Sequence, residues 1–233
     1  MDRDDIVGRI RSISKVNTLN VTDADLVLMV NEGVLAVAAA HRWPFLVDTA
    51  SIGVTAAQET YTFSSLSITD FEMAWMMYGT AEDQLLVPIT YQQRMTRWAD
   101  DPPTATEGEY FYISEDSLSI GIVPVPSATE ASAYTLVYYK TATVMATGGA
   151  LPEWNAAFHD VLVDYVLAIL YEREEFYDQS EAARQKFDVK LSKMKRFYKA
   201  LRVPENSPMI YGGGAFGLED PWANWPKGLK WGY

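Results

Sequence analysis

The spacing of hydrophobic positions changes twice along the 233 residues, and each change marks a boundary in the fold. Ile6, Val7, Ile10 and Ile13 recur at helical spacing with charges between them, which predicts a short amphipathic helix over residues 3–16. Asn20-Val21-Thr22-Asp23 then offers capping side chains. Behind them Leu26, Met29, Val30, Val34, Val37 and His41 recur three or four apart. This second helix carries Gly33, Ala36 and Ala38 to Ala40, small enough to admit another helix at close range. Pro44 should end it, because the residue before a proline avoids the α region.

From Leu46 the helical period gives way to alternation. Glu59 to Phe63 and Phe71 to Trp75 alternate. Leu85 to Ile89, Tyr110 to Ile113, Leu118 to Val125 and Tyr134 to Tyr139 are rich in β-branched and aromatic residues between Gly, Pro, Asp and Ser punctuation. About six strands follow from this, enough for a small antiparallel barrel or sandwich. Gly79 to Asp83 reads as a hairpin tip, Thr90 to Trp98 as a short helix, and Asp100 to Gly108 as an exposed loop.

The helical period returns at Pro152. Trp154, Phe158, Val161, Leu162, Tyr165, Ile169 and Leu170 form one face of a predicted helix running to about Tyr177, roughly 36 Å long at helical rise. A break at Asp178-Gln179-Ser180 leads into another helix, striped by Ala183, Phe187, Leu191, Met194, Tyr198 and Leu201. So short a break predicts an antiparallel hairpin. The expected architecture is therefore α+β. An antiparallel helical bundle (residues 1–45 and 150–203) carries an inserted antiparallel β barrel or sandwich-like unit (46–149), and an extended arm follows (204–233).

Charge sharpens this division. The net charge is −12, and residues 46–141 hold 13 acidic side chains against Arg94, Arg97 and Lys140, a net of −10. So acidic a chain lacks the Lys and Arg needed to grip nucleic acid through its phosphates. In the predicted hairpin Asp160, Asp164, Glu172, Glu174 and Glu175 make the first helix acidic. Arg184, Lys186, Lys190, Lys193, Lys195, Arg196, Lys199 and Arg202 make the second basic. Two readings follow: solvated faces that pair weakly with each other, or contacts between subunits, carried by Asp160, Asp164, Glu172 and Glu175 on one side and Lys186, Lys190, Lys193 and Arg196 on the other. The arm after Pro204 has no period, yet it holds Tyr211, Phe216, Trp222, Trp225, Trp231 and Tyr233. These are anchors suited to a partner or to the chain's own body.

Catalytic signatures are weak. The chain has no cysteine, which excludes disulfides and thiolate metal sites. His41 and His159 are the only histidines, each within a predicted helix and without metal-ligand spacing, so both read as structural. Gly212, Gly214 and Gly217 fit GxGxxG without the strand and helix that motif requires. Asn20-Val21-Thr22 fits a sequon without a secretory signal, and the charged N-terminus has no apolar h-region. Gly33 to Ala40 is the longest apolar run and too short to span a bilayer, so a soluble chain is expected. Thirty-one carboxylates leave room for a glycosidase pair, and Tyr61, Trp75, Tyr78, Tyr91, Trp98 and Tyr110 to Tyr112 for a sugar platform. Such aromatics more often serve as core and cross-strand pairs. No metal or cofactor is expected.

The order of elements carries a resemblance. A capped helix ends in Ala39-Ala40-His41-Arg42-Trp43-Pro44-Phe45, and a strand with Thr60-Tyr61-Thr62-Phe63 follows. Later come Ile122-Val123-Pro124-Val125-Pro126, Leu136-Val137-Tyr138-Tyr139, and Leu151-Pro152-Glu153-Trp154-Asn155 opening a helix that closes on Tyr171-Glu172-Arg173-Glu174. Over residues 20–201 this resembles the head-to-tail adaptor family of tailed phages, similar in organisation to the tail tubular A proteins of short-tailed phages. The resemblance implies a structural protein of the virion neck, present in host cytoplasm during assembly. It implies a twelve-fold ring beneath the portal protein and above a tail or stopper protein, with DNA passing through unbound. It offers no catalytic residues. A tail-tube or stopper protein is the nearest alternative, and a cell-wall-active hydrolase or sugar-binding module a more distant one.

Overall fold

The computed structural model describes residues 1–14, 21–79, 84–99 and 101–200, which fold as α+β. Among them the α-helices are α1 (Arg3–Ser14), α2 (Asp23–Ala39), α3 (Tyr91–Trp98), α4 (Val161–Arg173) and α5 (Tyr177–Ala200). The chain divides into two units, one of Met1–Leu46 with the described residues from Ala142, the other of Val47–Thr141.

In the first unit α1, α2 and α5 all pack on α4. The reason lies in the α4 sequence, VLVDYVLAIL, which is apolar on every side; a helix of that kind is stable only when surrounded. Val161 to Val163, Val166 to Ala168 and Leu170 are buried, and so is Asp164. The expectation of one long striped helix from Pro152 to Tyr177 is thus corrected. Asn155 caps a short 3-10 turn, Ala156–Phe158, and the α-helix proper is 13 residues.

The hairpin break falls at Glu174 to Phe176, ahead of the expected Asp178-Gln179-Ser180. Glu175 takes a left-handed conformation (φ 62°). Its N–H donates to Glu172 O at 3.1 Å, and Phe176 N–H donates to Tyr171 O at 2.8 Å, which together close a Schellman cap on α4. No glycine announces this cap, so the sequence pattern runs past it.

α2 opens on Thr22, whose hydroxyl accepts from Asp25 N–H while the Asp25 carboxylate accepts from Thr22 N–H, a capping box. The helix stops at Ala39, short of the expected Trp43, and leaves His41 in the turn behind it. Trp43 folds back and donates its indole N–H to Val37 O at 2.6 Å, strengthening the satisfaction of a last-turn carbonyl that otherwise shares the Ala40 N–H with Ala36 O. Pro44 then begins a 3-10 turn, Pro44–Leu46.

Two glycines give opposite expectations for the same change. A Cβ at Gly33 would stand 2.9 Å from Tyr165 Cδ1 and 3.1 Å from Leu162 Cδ2, both on α4. One at Gly8 on α1 would meet nothing within 4 Å. Gly8→Ala should therefore stabilise by about 1 kcal/mol through helix propensity. Gly33→Ala should lose that gain to overpacking and lower Tm, the net cost being about 1 kcal/mol. Thermal melts of the two variants beside the parent check both signs.

In the second unit β1 (Val47–Val54), β9 (Glu130–Lys140) and β3 (Phe71–Gly79) form one antiparallel sheet in that order. β2 (Thr60–Thr62), β7 (Ser119–Val123), β6 (Tyr110–Ile113) and β4 (Val87–Pro88) form another. β5 (Thr104–Ala105) and β8 (Val125–Pro126) make a third, of two strands. The two larger sheets share one apolar cluster that includes Ile52, Tyr61, Met77, Leu86, Phe111, Ile120, Ile122 and Leu136. Among the described residues the sheets do not close into a barrel, and β4·β6 and β5·β8 are parallel pairs, both departures from the expected antiparallel barrel. β5 also gives the supposed exposed loop after Asp100 a strand of its own.

Candidate assembly interface

Part of the charge of the α4–α5 hairpin is spent inside the subunit. Lys190 Nζ lies 2.6 Å from Asp160 Oδ2 and 2.5 Å from Asp164 Oδ2, and Arg184 pairs with Glu172. Burial works against the Lys190 charge, but the hydrogen bonds and fields of Asp160 and Asp164 outweigh it and raise its pKa. The contribution of Lys190 is therefore complete below the ordinary lysine pKa and is lost only as pH rises through the higher folded value. Lys190→Ala would leave two carboxylates facing each other, one of them buried. It should cost about 2 kcal/mol at pH 7, between the values for surface and buried pairs. Urea unfolding of the variant beside the parent at pH 7 measures it.

The remaining predicted contact residues lie apart from that cluster. Lys186, Lys193 and Arg196 are exposed on α5, and Glu175 is exposed in the turn. Tyr211, Phe216, Trp222, Trp225, Trp231 and Tyr233 lie outside the described residues, as do Arg202 and the Gly212–Gly217 match.

One surface feature was not anticipated. Leu28 is 63% and Leu35 49% exposed on the side of α2 turned away from α4, in line with exposed Ala24 and Ala39. The signal was present in the sequence: α2 has more apolar residues than one buried stripe accommodates.

Neither histidine sits in an α-helix, contrary to expectation. His159 is buried, with Nε2 3.0 Å from Trp154 O. His41 meets the Trp43 ring edge-on. The aromatics of the second unit pair with neighbours instead of lining one cleft: Trp75 with Tyr139, Tyr91 with Tyr112, and Trp98 with Tyr110 beneath the Arg97 guanidinium. Among the described residues Glu59, Arg94 and Tyr112 form a largely buried polar cluster. Arg94 makes a fork to both Glu59 oxygens (2.7 and 2.6 Å), and Tyr112 donates to Glu59 Oε1 at 2.7 Å. Burial first, and the hydrogen bond to the carboxylate second, push the Tyr112 phenol up. This clasp ties α3 to β6 and to the chain leading into β2. Among the described residues no group of His, Asp and Glu is placed to hold a metal, and no helix is long and apolar enough to cross a membrane.

The SU10 adaptor protein family matches residues 1–208, and the chain belongs to that family. It is thus a bacteriophage adaptor, a structural component of the virion. No curated protein matches the chain.

Proposed function

We propose that this adaptor is the subunit of a ring in the phage neck, seated below the portal protein, joining capsid to tail and letting DNA pass. The observation that carries the reading is the SU10 adaptor match, whose range of residues 1–208 takes in both units. The likeness in organisation to the tail tubular A proteins belongs to the same reading, as do the twelve-fold count and a tail or stopper protein below. Charge supports the conduit role. Carboxylates repeated around a ring repel a duplex that carries one phosphate charge per roughly 1.7 Å of axis. The aromatic arm, Tyr211 to Tyr233, supplies further anchors for the portal or a neighbouring subunit.

The test is sedimentation of the isolated protein with and without portal, followed by imaging of the complex. A monomer or weak oligomer alone, and a closed ring on the portal, is the expected result. A stable two-fold dimer indifferent to the portal overturns the reading.

A further inference from the structure

We propose that the outer face of α2 in one copy docks on the outer face of α5 in the next. The inference rests on the ring reading and names the surfaces that would form the ring. α2 and α5 both pack on α4, and among the described residues the side each turns away from it carries exposed side chains; on α2 that side borders α1 at Ala24 and Leu28, beside the mutually neutralising pairs Arg3–Asp4 and Arg11–Asp23. On α2 that side carries Leu28, Leu35, Ala24 and Ala39, edged by exposed Glu32. On α5 it carries Val189, 54% exposed, among the exposed cations Lys186, Lys193 and Arg196.

Each face has an apolar centre, and the charges at the edges are opposite. A second α2 face would bring like charges together around the apolar strip, and so would a second α5 face. The pairing across copies is therefore between unlike faces, an arrangement that a ring can repeat head-to-tail from one copy to the next. It also replaces the acidic partner. Asp160, Asp164 and Glu172 are engaged by Lys190 and Arg184 of their own subunit, whereas Lys186, Lys193 and Arg196 are presented outward.

The chain has no cysteine, so single introduced thiols report cleanly on this contact. Two full-length variants, Leu28→Cys and Val189→Cys, are mixed at high concentration and oxidised. The expected product is the covalent heterodimer, formed at least tenfold more than either homodimer. The doubly substituted chain should give a ladder of higher oligomers. Adding Glu32→Lys should lower the yield several-fold, and Lys193→Glu in the partner should restore it. Homodimers through position 28, or a yield unmoved by the charge reversals, overturn the proposal. If a ring forms on the portal but no 28–189 bond appears in it, this inference fails while the ring reading stands. If no ring forms, the ring reading itself fails.

Discussion

Arg94→Ala is expected to destabilise the second unit by about 3–5 kcal/mol, because it leaves the Glu59 carboxylate without its partner in a largely buried site. The guanidinium is forked onto both carboxylate oxygens and also donates to Ala99 O, at the end of α3. Its removal should therefore release α3 from β6 as well as expose a charge. Replacing both partners with residues of similar volume, Glu59→Met with Arg94→Met, should recover most of the loss, since the cost lies in the orphaned ion and not in the missing pair. Because two units unfold, the reading should be local: amide hydrogen exchange over α3 at rising urea. A double variant as unstable as Arg94→Ala would mean that the clasp contributes net stability beyond satisfying its own members.

The second large effect is expected at Gly121. It stands opposite Tyr112 in the β6–β7 pairing, and a Cβ there would lie 2.1 Å from Tyr112 Cζ. The ring cannot swing away cheaply, because its hydroxyl is held by Glu59. Gly121→Ala should cost about 3 kcal/mol, at the upper end of overpacking effects. In a Tyr112→Leu background the same substitution should cost far less, since the two positions are in contact and their effects are not additive. Denaturant melts of the four chains complete the cycle; equal costs in both backgrounds would place the clash elsewhere.

These two sites show what could be read from the sequence and what could not. The capping box at Thr22 and the short helix after Thr90 were legible because their signals are local. The strand at Tyr110–Ile113 was legible for the same reason. β1 was missed: its first half, Val47 to Ala50, is exposed or half-buried throughout and shows no alternation. The end of α4 was misplaced because Glu175 adopts a conformation usually marked by glycine. Asp164 was placed outside because its period within the helix is ambiguous; only the presence of Lys190, 26 positions on, makes its burial tolerable. Glu59, Arg94 and Tyr112 could not be grouped at all, since their juxtaposition depends on sheet topology. The family resemblance rested on element order, and the SU10 adaptor match supports a phage adaptor on independent grounds.

The pairing of β1 with β9 has one more consequence. Val47 stands opposite Tyr139, so the inserted unit enters and leaves through neighbouring backbones. While it is folded, the helical unit is spliced by what amounts to a tight turn. Once it melts, the same helices must close a floppy loop of roughly 95 residues, an entropic penalty of about 3 kcal/mol relative to a short connection. A lesion in the β unit such as Gly121→Ala should thus be felt in the helical unit through the polymer statistics of the loop. Conversely, any other folded module with adjoining ends could be transplanted between Leu46 and Ala142 and restore the helices to full strength.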